Sequence, residues 1–327
     1  GAGLGPRALA QVTEILAEAD ASVAMIYLMH LLGTACIAGS PVPGRHDDLL
    51  RRIARGEHLT TLAFSEKGSR SHFWAPVSRA ERLGSAARLT AHKSWVTSAG
   101  EADSYVVTTL ASDGKAATDT TLYLVDARAP GVRVAAPWDG MGLRANASAP
   151  VTLEAVEVPD SHRLTEEGAG FKAKLEVVLP LFCLGSASVA LGLCRAVTKA
   201  TVSHLKTAQF EHLGQTLGAA LPNLRAQLAT MQLQTDLLAA LVEDTVRAIE
   251  VPGPATMLRV LEVKAAAGDT AIEVTSLAMR TCGGAAFSKH TSIDRFFRDA
   301  HAGAVMAPTV DVLRDFIGKA LLGIPLF

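Results

Sequence analysis

The chain has 327 residues, 49% of them hydrophobic, and its 31 Lys and Arg nearly balance its 32 Asp and Glu, for a net charge of −1. That length supports two or three folding units with a large buried core, and the apolar content excludes a disordered or collagen-like chain. The charge balance and an aromatic content of 5% exclude a basic groove or base-stacking platform, so no nucleic-acid partner is expected. Gly-Ala-Gly-Leu-Gly-Pro-Arg opens the chain with no cleavable signal pattern and no initiator Met, and further sequence upstream is expected. From Pro6, the residues Leu9, Val12, Ile15 and Leu16 recur at helical spacing, and Asp20-Ala-Ser is placed to end this helix and cap the next. Residues 21–39 and 177–194 carry no Asp, Glu, Lys or Arg and approach the length of a membrane-spanning helix. Their Ala, Ser, Gly and Thr, together with His30, Pro180 and the lack of a flanking Lys/Arg cluster, predict buried helices and no membrane span. Leu49 and Ile53 with Arg51, Arg52 and Arg55 make a short amphipathic piece.

From Leu59 to about Pro159 the period shortens to strand-like runs broken by turn residues. These are Leu62-Ala-Phe, Ser94-Trp-Val-Thr, Tyr105 to Leu110, Thr121 to Val125, Val132-Arg-Val and Val151 to Val158, with Ser112-Asp-Gly and Asp139-Gly as turns. Strands that follow one another without intervening helices predict an antiparallel sheet or barrel. From Gly170 the pattern is helical to the end. Leu224, Leu228, Met231, Leu238, Val242, Val246 and Ile249 form one sustained stripe, Val251-Pro-Gly-Pro stops it, a second helix runs over Ala255 to Met279, and a last one over Asp311 to Leu322. The expected class is α+β: N-terminal helices over 1–58, a central antiparallel β-barrel or sheet domain over 59–164, and a C-terminal antiparallel helical bundle over 165–327. Cys36, Cys183, Cys194 and Cys282 are far apart and each lies in an apolar run. They read as buried thiols of a reducing, cytoplasmic compartment, without a disulfide framework or metal-ligand spacing, and no metal is expected.

Six local sequences stand out: Ala63-Phe-Ser-Glu-Lys-Gly-Ser-Arg-Ser-His-Phe-Trp, Lys93-Ser-Trp-Val-Thr-Ser, Met141-Gly-Leu-Arg-Ala-Asn, Lys206-Thr-Ala-Gln-Phe-Glu-His-Leu-Gly, Arg280-Thr-Cys-Gly-Gly-Ala-Ala-Phe and Arg298-Asp-Ala-His-Ala-Gly-Ala-Val-Met-Ala-Pro-Thr. Strand alternation points Trp95 and Thr97 to one face, where an aromatic ring and a hydroxyl would suit a flat cofactor. Paired glycines at 283 and 284 let a backbone approach a phosphate or ribose closely. In this order and over essentially the whole chain, these segments resemble the flavin-dependent acyl-CoA dehydrogenase superfamily, shortened by the family's first helices.

The resemblance implies FAD as cofactor. Phe64, Ser65, Trp95 and Thr97 would line the flavin. Gln209, Phe210, Arg280, Gly283, Gly284 and Thr309 would serve the rest of the cofactor, Gln209–Phe210 and Gly283–Gly284 acting on the flavin of an adjacent subunit, and Ser71 would lie near the substrate thioester. A homodimer or homotetramer follows, with an electron-transfer protein or a flavin reductase as redox partner. The stretch from Met141 is expected to be structural.

Departures from the family pattern fall in three of these segments. Lys67 and His72 replace the usual Pro and Asp of the flavin loop. Thr207 replaces the Arg that reaches the pyrophosphate, leaving Lys206, His212 or Arg280 to supply its charge. Counting from Arg298-Asp299, Ala307 and Pro308 occupy the place of the family's catalytic Glu-Gly, and Glu176, about a turn from the alternative base position on the first bundle helix, is the nearest carboxylate. Three functions stay open: an acyl-CoA dehydrogenase, a flavin monooxygenase on the same scaffold, which needs no carboxylate at that position, and a non-catalytic relative.

Overall fold

The computed structural model describes residues 4–70 and 72–327. Ser71, expected near the substrate, lies outside the described residues. Two compact units emerge, one built from Met25–Gly140 and Arg144–Phe182, the other from Gly5–Ala24, Met141–Leu143 and Cys183–Phe327. This partition differs from a division at 58 and 164: the helix α1 (Gly5–Ala19) groups with the second unit, while most of α2 (Ala21–Ala38) and all of α3 (Asp47–Ala54) group with the first.

In the first unit, β1 (Thr60–Ala63), β4 (Ser104–Leu110) and β5 (Thr120–Asp126) form one sheet, and β2 (Ala80–Leu83), β3 (Ala86–Val96), β7 (Ala149–Pro159) and β6 (Val132–Val134) form another, each in the order given. Both sheets are open, so the barrel alternative does not form. All pairings are antiparallel except β1 with β4, which is parallel. That exception has a topological cause: the chain leaves β1, builds β2 and β3 in the other sheet, and returns at β4, the long crossover a parallel pair requires. The strand β2 escaped the sequence pattern, although Gly84-Ser85 is a hairpin signal; Leu83 pairs with Ala86 and Gly84 takes φ +58. Side chains from the two sheets share one core, with Tyr105, Val107, Tyr123 and Val125 from the first and Leu89, Ala91, Val151, Leu153 and Val156 from the second. The helix α2 approaches β1 so closely that a Cβ on Gly33 would lie 2.9 Å from Thr60 Cγ2.

A short α4 (Gly170–Ala173) and a π-helical turn (Lys174–Val178) lead into α5 (Leu179–Thr207). The second unit then adds a hairpin of β8 (Gln209–Phe210) and β9 (Gln215–Thr216), α6 (Leu217–Ala220), α7 (Pro222–Glu250), α8 (Thr256–Cys282), α9 (Ile293–Val305) and α10 (Val310–Leu322). The helix α8 packs against α7, α9 and α10. The α7 stripe buries Leu224, Met231, Leu238, Val242 and Val246 as its period predicts. It also buries Thr235 and Thr245, whose hydroxyls donate to the carbonyls of Met231 and Leu241 at 2.8 Å.

The inward face of α1 differs from the expected one. Leu9, Ala10, Thr13 and Ala17 are buried, while Val12 and Ile15 are 38% and 67% exposed. Small residues face inward because α5 comes very close: a Cβ on Gly192 would lie 2.4 Å from Glu14 O and 2.7 Å from Ala17 Cβ. Asp20 caps α2 as expected, its Oδ1 accepting from the backbone N–H of Ser22 at 2.8 Å and Val23 at 3.2 Å. All four cysteines are free and buried. The two apolar stretches fall in helices long enough to cross a membrane, and the relevant windows of Ala21–Ala38 and Gly170–Thr207 are 50% and 78% buried within the protein itself.

Candidate functional site

In the first unit, the loop after β1 is organised by a carboxylate that the sequence reading passed over. Glu66 is buried and accepts hydrogen bonds from Val77 N at 2.6 Å, Ser78 N at 2.8 Å and the Ser78 hydroxyl, and its Oε1 lies 2.5 Å from Lys93 Nζ. Burial pushes this carboxyl up, but the Lys93 ammonium and the Ser78 donors outweigh it and hold it below the ordinary carboxylate range. Glu66 therefore clips both ends of the loop to β3. Ser94 N donates to Ser65 O at 2.9 Å, so Ser65 and the end of β3 run side by side. Phe64 is buried, and Ser65 is half-buried. Lys67 and His72 are exposed, the latter stacked on Trp74 with ring centroids 4.7 Å apart.

A second buried lysine ties the start of the helical segment to this loop. Lys174 sits in the π-helical turn, and its Nζ donates to Trp74 O at 2.9 Å and Thr108 Oγ1 at 3.3 Å, with the Phe64 ring centroid 6.0 Å away. Lys93 Nζ donates to the carbonyl of the same Thr108. Burial, with the nearby Lys93 charge, lowers the Lys174 ammonium to about 7. Glu176, two residues on, is exposed and pairs at 4.0 Å with the exposed Lys172. As a surface carboxylate it does not match the role of a base.

Trp95 and Thr97 do not share a strand face, contrary to the alternation argument. The register slips between Lys93 and Val96, Trp95 takes φ +57, and β3 ends at Val96. This bulge turns the Trp95 indole into solvent, where it is 68% exposed, and leaves Thr97 buried with its hydroxyl 3.2 Å from that of Ser148.

In the second unit, Thr207 ends α5 with its hydroxyl donated to Ser203 O at 2.9 Å, and the residues that follow form the β8–β9 hairpin. Gln209 is exposed there and Phe210 packs edge-on against His212 at 5.6 Å, while Lys206 and His212 remain exposed. Arg280 lies exposed in the last turn of α8. Gly283 follows as its cap at φ +56, with no atom within 4 Å of the position a Cβ would take, and the same openness holds at Gly284.

Thr309 N-caps α10 through Val312 N at 3.5 Å. The segment around Ala307 is held by Lys264, which is buried and donates to the carbonyls of Gly303, Met306 and Pro308 at 3.2, 3.1 and 2.8 Å. Burial lowers its ammonium to about 8. Arg298 and Asp299 hold the Met141 stretch: Arg298 donates to Met141 O at 2.9 Å and Leu143 N donates to Asp299 Oδ1 at 2.7 Å, with Gly142 pressed against the α9 backbone.

Known proteins match this chain over most of its length. Residues 61–156 match the acyl-CoA dehydrogenase middle domain and residues 168–322 the acyl-CoA dehydrogenase C-terminal domain. The mitochondrial short/branched chain specific acyl-CoA dehydrogenase of Bos taurus is 27% identical over 312 residues, 95% of this chain and 71% of that protein. The cyclohex-1-ene-1-carbonyl-CoA dehydrogenase of Geobacter metallireducens is 26% identical over 326 residues, 98% and 84% of the two chains. The butyryl-CoA dehydrogenase of Megasphaera elsdenii shares the fold, with a TM-score of 0.90, 24% identity and coverage of 98% and 83%.

The residues present also fit FAD chemically. A flat ring system would find the exposed Trp95 indole on a strand end that runs beside Ser65, and a diphosphate would find the exposed Arg280 guanidinium with an open glycine pair one turn beyond it. The chain belongs to the acyl-CoA dehydrogenase superfamily of FAD-dependent oxidoreductases.

Proposed function

We propose that the protein oxidises an acyl thioester by α,β-dehydrogenation, hands the electrons to an electron-transfer protein, and works as a homodimer or homotetramer. The observation that carries this reading is the Trp95 indole, presented by a bulged strand beside a loop that Glu66 and Lys174 hold in place. When bound, the flavin supplies two-electron hydride chemistry. Trp95 would pack on the ring system, Ser65 would line its polar edge, and Arg280 with Gly283 and Gly284 would hold the diphosphate of a FAD bound to an adjacent subunit. Phe287, Leu233 and Leu237 are exposed apolar side chains of the kind a second copy covers.

At the α-proton the chain departs from the family pattern that its motifs resemble. General-base catalysis needs an acceptor within hydrogen-bond reach, Ala307 offers a methyl group, and Glu176 is engaged at the surface with Lys172. That departure favours a second reading, a monooxygenase that takes reduced flavin from a reductase and uses O₂. Anaerobic titration of the FAD-loaded protein with acyl-CoAs separates the two. Bleaching of the flavin band supports dehydrogenation, and Ala307→Glu with Pro308→Gly should then raise its rate, since a general base typically contributes about 10²- to 10⁴-fold. A parent and a double variant that are both inert overturn the dehydrogenase reading. O₂-dependent hydroxylation with chemically reduced flavin then tests the monooxygenase, and its absence leaves a non-catalytic relative.

A further inference from the structure

Trp95 is delivered to solvent by a backbone conformation that large side chains rarely adopt, φ +57 at a bulge. An indole left 68% exposed there would exchange rotamers on the picosecond to nanosecond scale unless something restrained it. A restraint is present. The Trp138 ring meets the Trp95 ring edge-on, centroids 5.7 Å apart and planes at 89°, the geometry that aromatic quadrupoles favour. Trp138 is itself anchored, being partly buried against the core shared by the two sheets.

Its place depends on a glycine two residues later. A Cβ on Gly140 would lie 2.0 Å from Trp138 Cζ2 and 2.6 Å from Cε2 and Cη2, so only a glycine leaves room for the ring. Asp139-Gly140 reads in the sequence as a turn; the structure gives the glycine a different purpose.

We propose that Trp138 is a positioning residue that holds the Trp95 indole in the orientation the flavin ring system meets, with Gly140 making the space for it; this rests on the assignment of Trp95 to flavin binding. Trp138 acts through Trp95 and needs no contact with the cofactor. The chain has three tryptophans, and the third, Trp74, stacks on His72, so the paired signal of Trp95 and Trp138 is separable by substitution.

The test uses the full chain, stripped of flavin and titrated with FAD, in five forms: parent, Trp95→Leu, Trp138→Leu, Trp138→Phe and Gly140→Ala. Near-ultraviolet circular dichroism before titration reads the indole pair, and flavin quenching reads affinity. An edge-on aromatic contact supports roughly a 2- to 12-fold difference in affinity. Trp138→Leu and Gly140→Ala should both lose the paired signal and weaken FAD by that factor, and Trp138→Phe, which keeps an aromatic edge, should recover most of the affinity. If Trp95→Leu weakens FAD and Trp138→Leu binds like the parent, the inference falls while the flavin reading of Trp95 stands. If neither variant weakens FAD, both fall. Failure of Trp138→Phe to restore affinity overturns the ring-to-ring mechanism as well, since a loss of packing alone would explain the leucine result.

Discussion

Replacing Lys174 with methionine keeps the aliphatic stem and removes the ammonium that donates to Trp74 O and Thr108 Oγ1, and the change should weaken a pH dependence of stability. In the folded protein this amine loses its proton near pH 7, whereas in the unfolded chain it holds it to its ordinary value of 10.5. Between those two values the unfolded state binds more protons, so stability rises with pH, by up to about 1.4 kcal/mol per unit. The gain begins near pH 7 and amounts to about 2 kcal/mol by pH 9. Buried acidic groups of the same unit, led by Cys36 and Tyr123, then reverse the trend. Burial pushes the Cys36 thiol up to about 12 from 9.0 and the Tyr123 hydroxyl up to about 12 from 10.0, so each keeps its proton in the fold after the unfolded chain has lost it, and each costs stability above its ordinary value. The expected profile climbs from pH 7 to 9, flattens to about 10 and then declines. All three tryptophans lie in the unit that contains Lys174, so urea unfolding followed by indole fluorescence reports on it. With a urea slope of about 2 kcal/mol per molar, the midpoint should move up by about 1 M between pH 7 and 9 in the parent and by clearly less in Lys174→Met, where the buried Lys93, its ammonium also lowered by burial, is left to act in the same direction. A midpoint that falls over this range in the parent, or rises equally in the variant, refutes the assignment of the slope to Lys174.

Two further perturbations test the second unit. Gly142→Ala places a Cβ 2.4 Å from Arg298 O and 2.9 Å from Asp299 Cα, both backbone, and should cost about 1–3 kcal/mol in overpacking, measured as a lower thermal midpoint; an unchanged midpoint contradicts the close approach. Asp20→Ala should cost about 0.5–2 kcal/mol through loss of the α2 cap, whereas Asp20→Asn, whose side-chain oxygen still caps, should stay near the parent. If Asn proves as damaging as Ala, the 2.7 Å contact with Arg295 outweighs the cap.

What the sequence made legible was periodicity, and periodicity has definite blind spots. The α7 stripe and the β4, β5 and β7 runs announced themselves because bulky apolar residues recur at the spacing of the element that buries them. The inward face of α1 was hidden because close helix approach at Gly192 selects small residues, so the larger Val12 and Ile15 turn outward. Trp95 and Thr97 were placed on one face because alternation cannot register a bulge; only the left-handed φ of Trp95 separates them. Lys93, Lys174 and Lys264 were unreadable as core because lysine is ordinarily a surface residue, and nothing local marks the carbonyls and carboxylate waiting for each. The motif segments were recognisable as ordered groups of residues. Their supports, Glu66 beneath the loop and Trp138 beside Trp95, become visible only in three dimensions.

The grip of Lys264 on the stretch around Ala307 has a consequence for substitution. Its hydrogen bonds to Gly303, Met306 and Pro308 go to main-chain oxygens, which every amino acid supplies alike, so none of them depends on the side chain at 307. A change of side chain at 307 therefore leaves this grip in place. The position is a socket: what projects from it can be exchanged while the carbonyls beneath it keep their hold on Lys264.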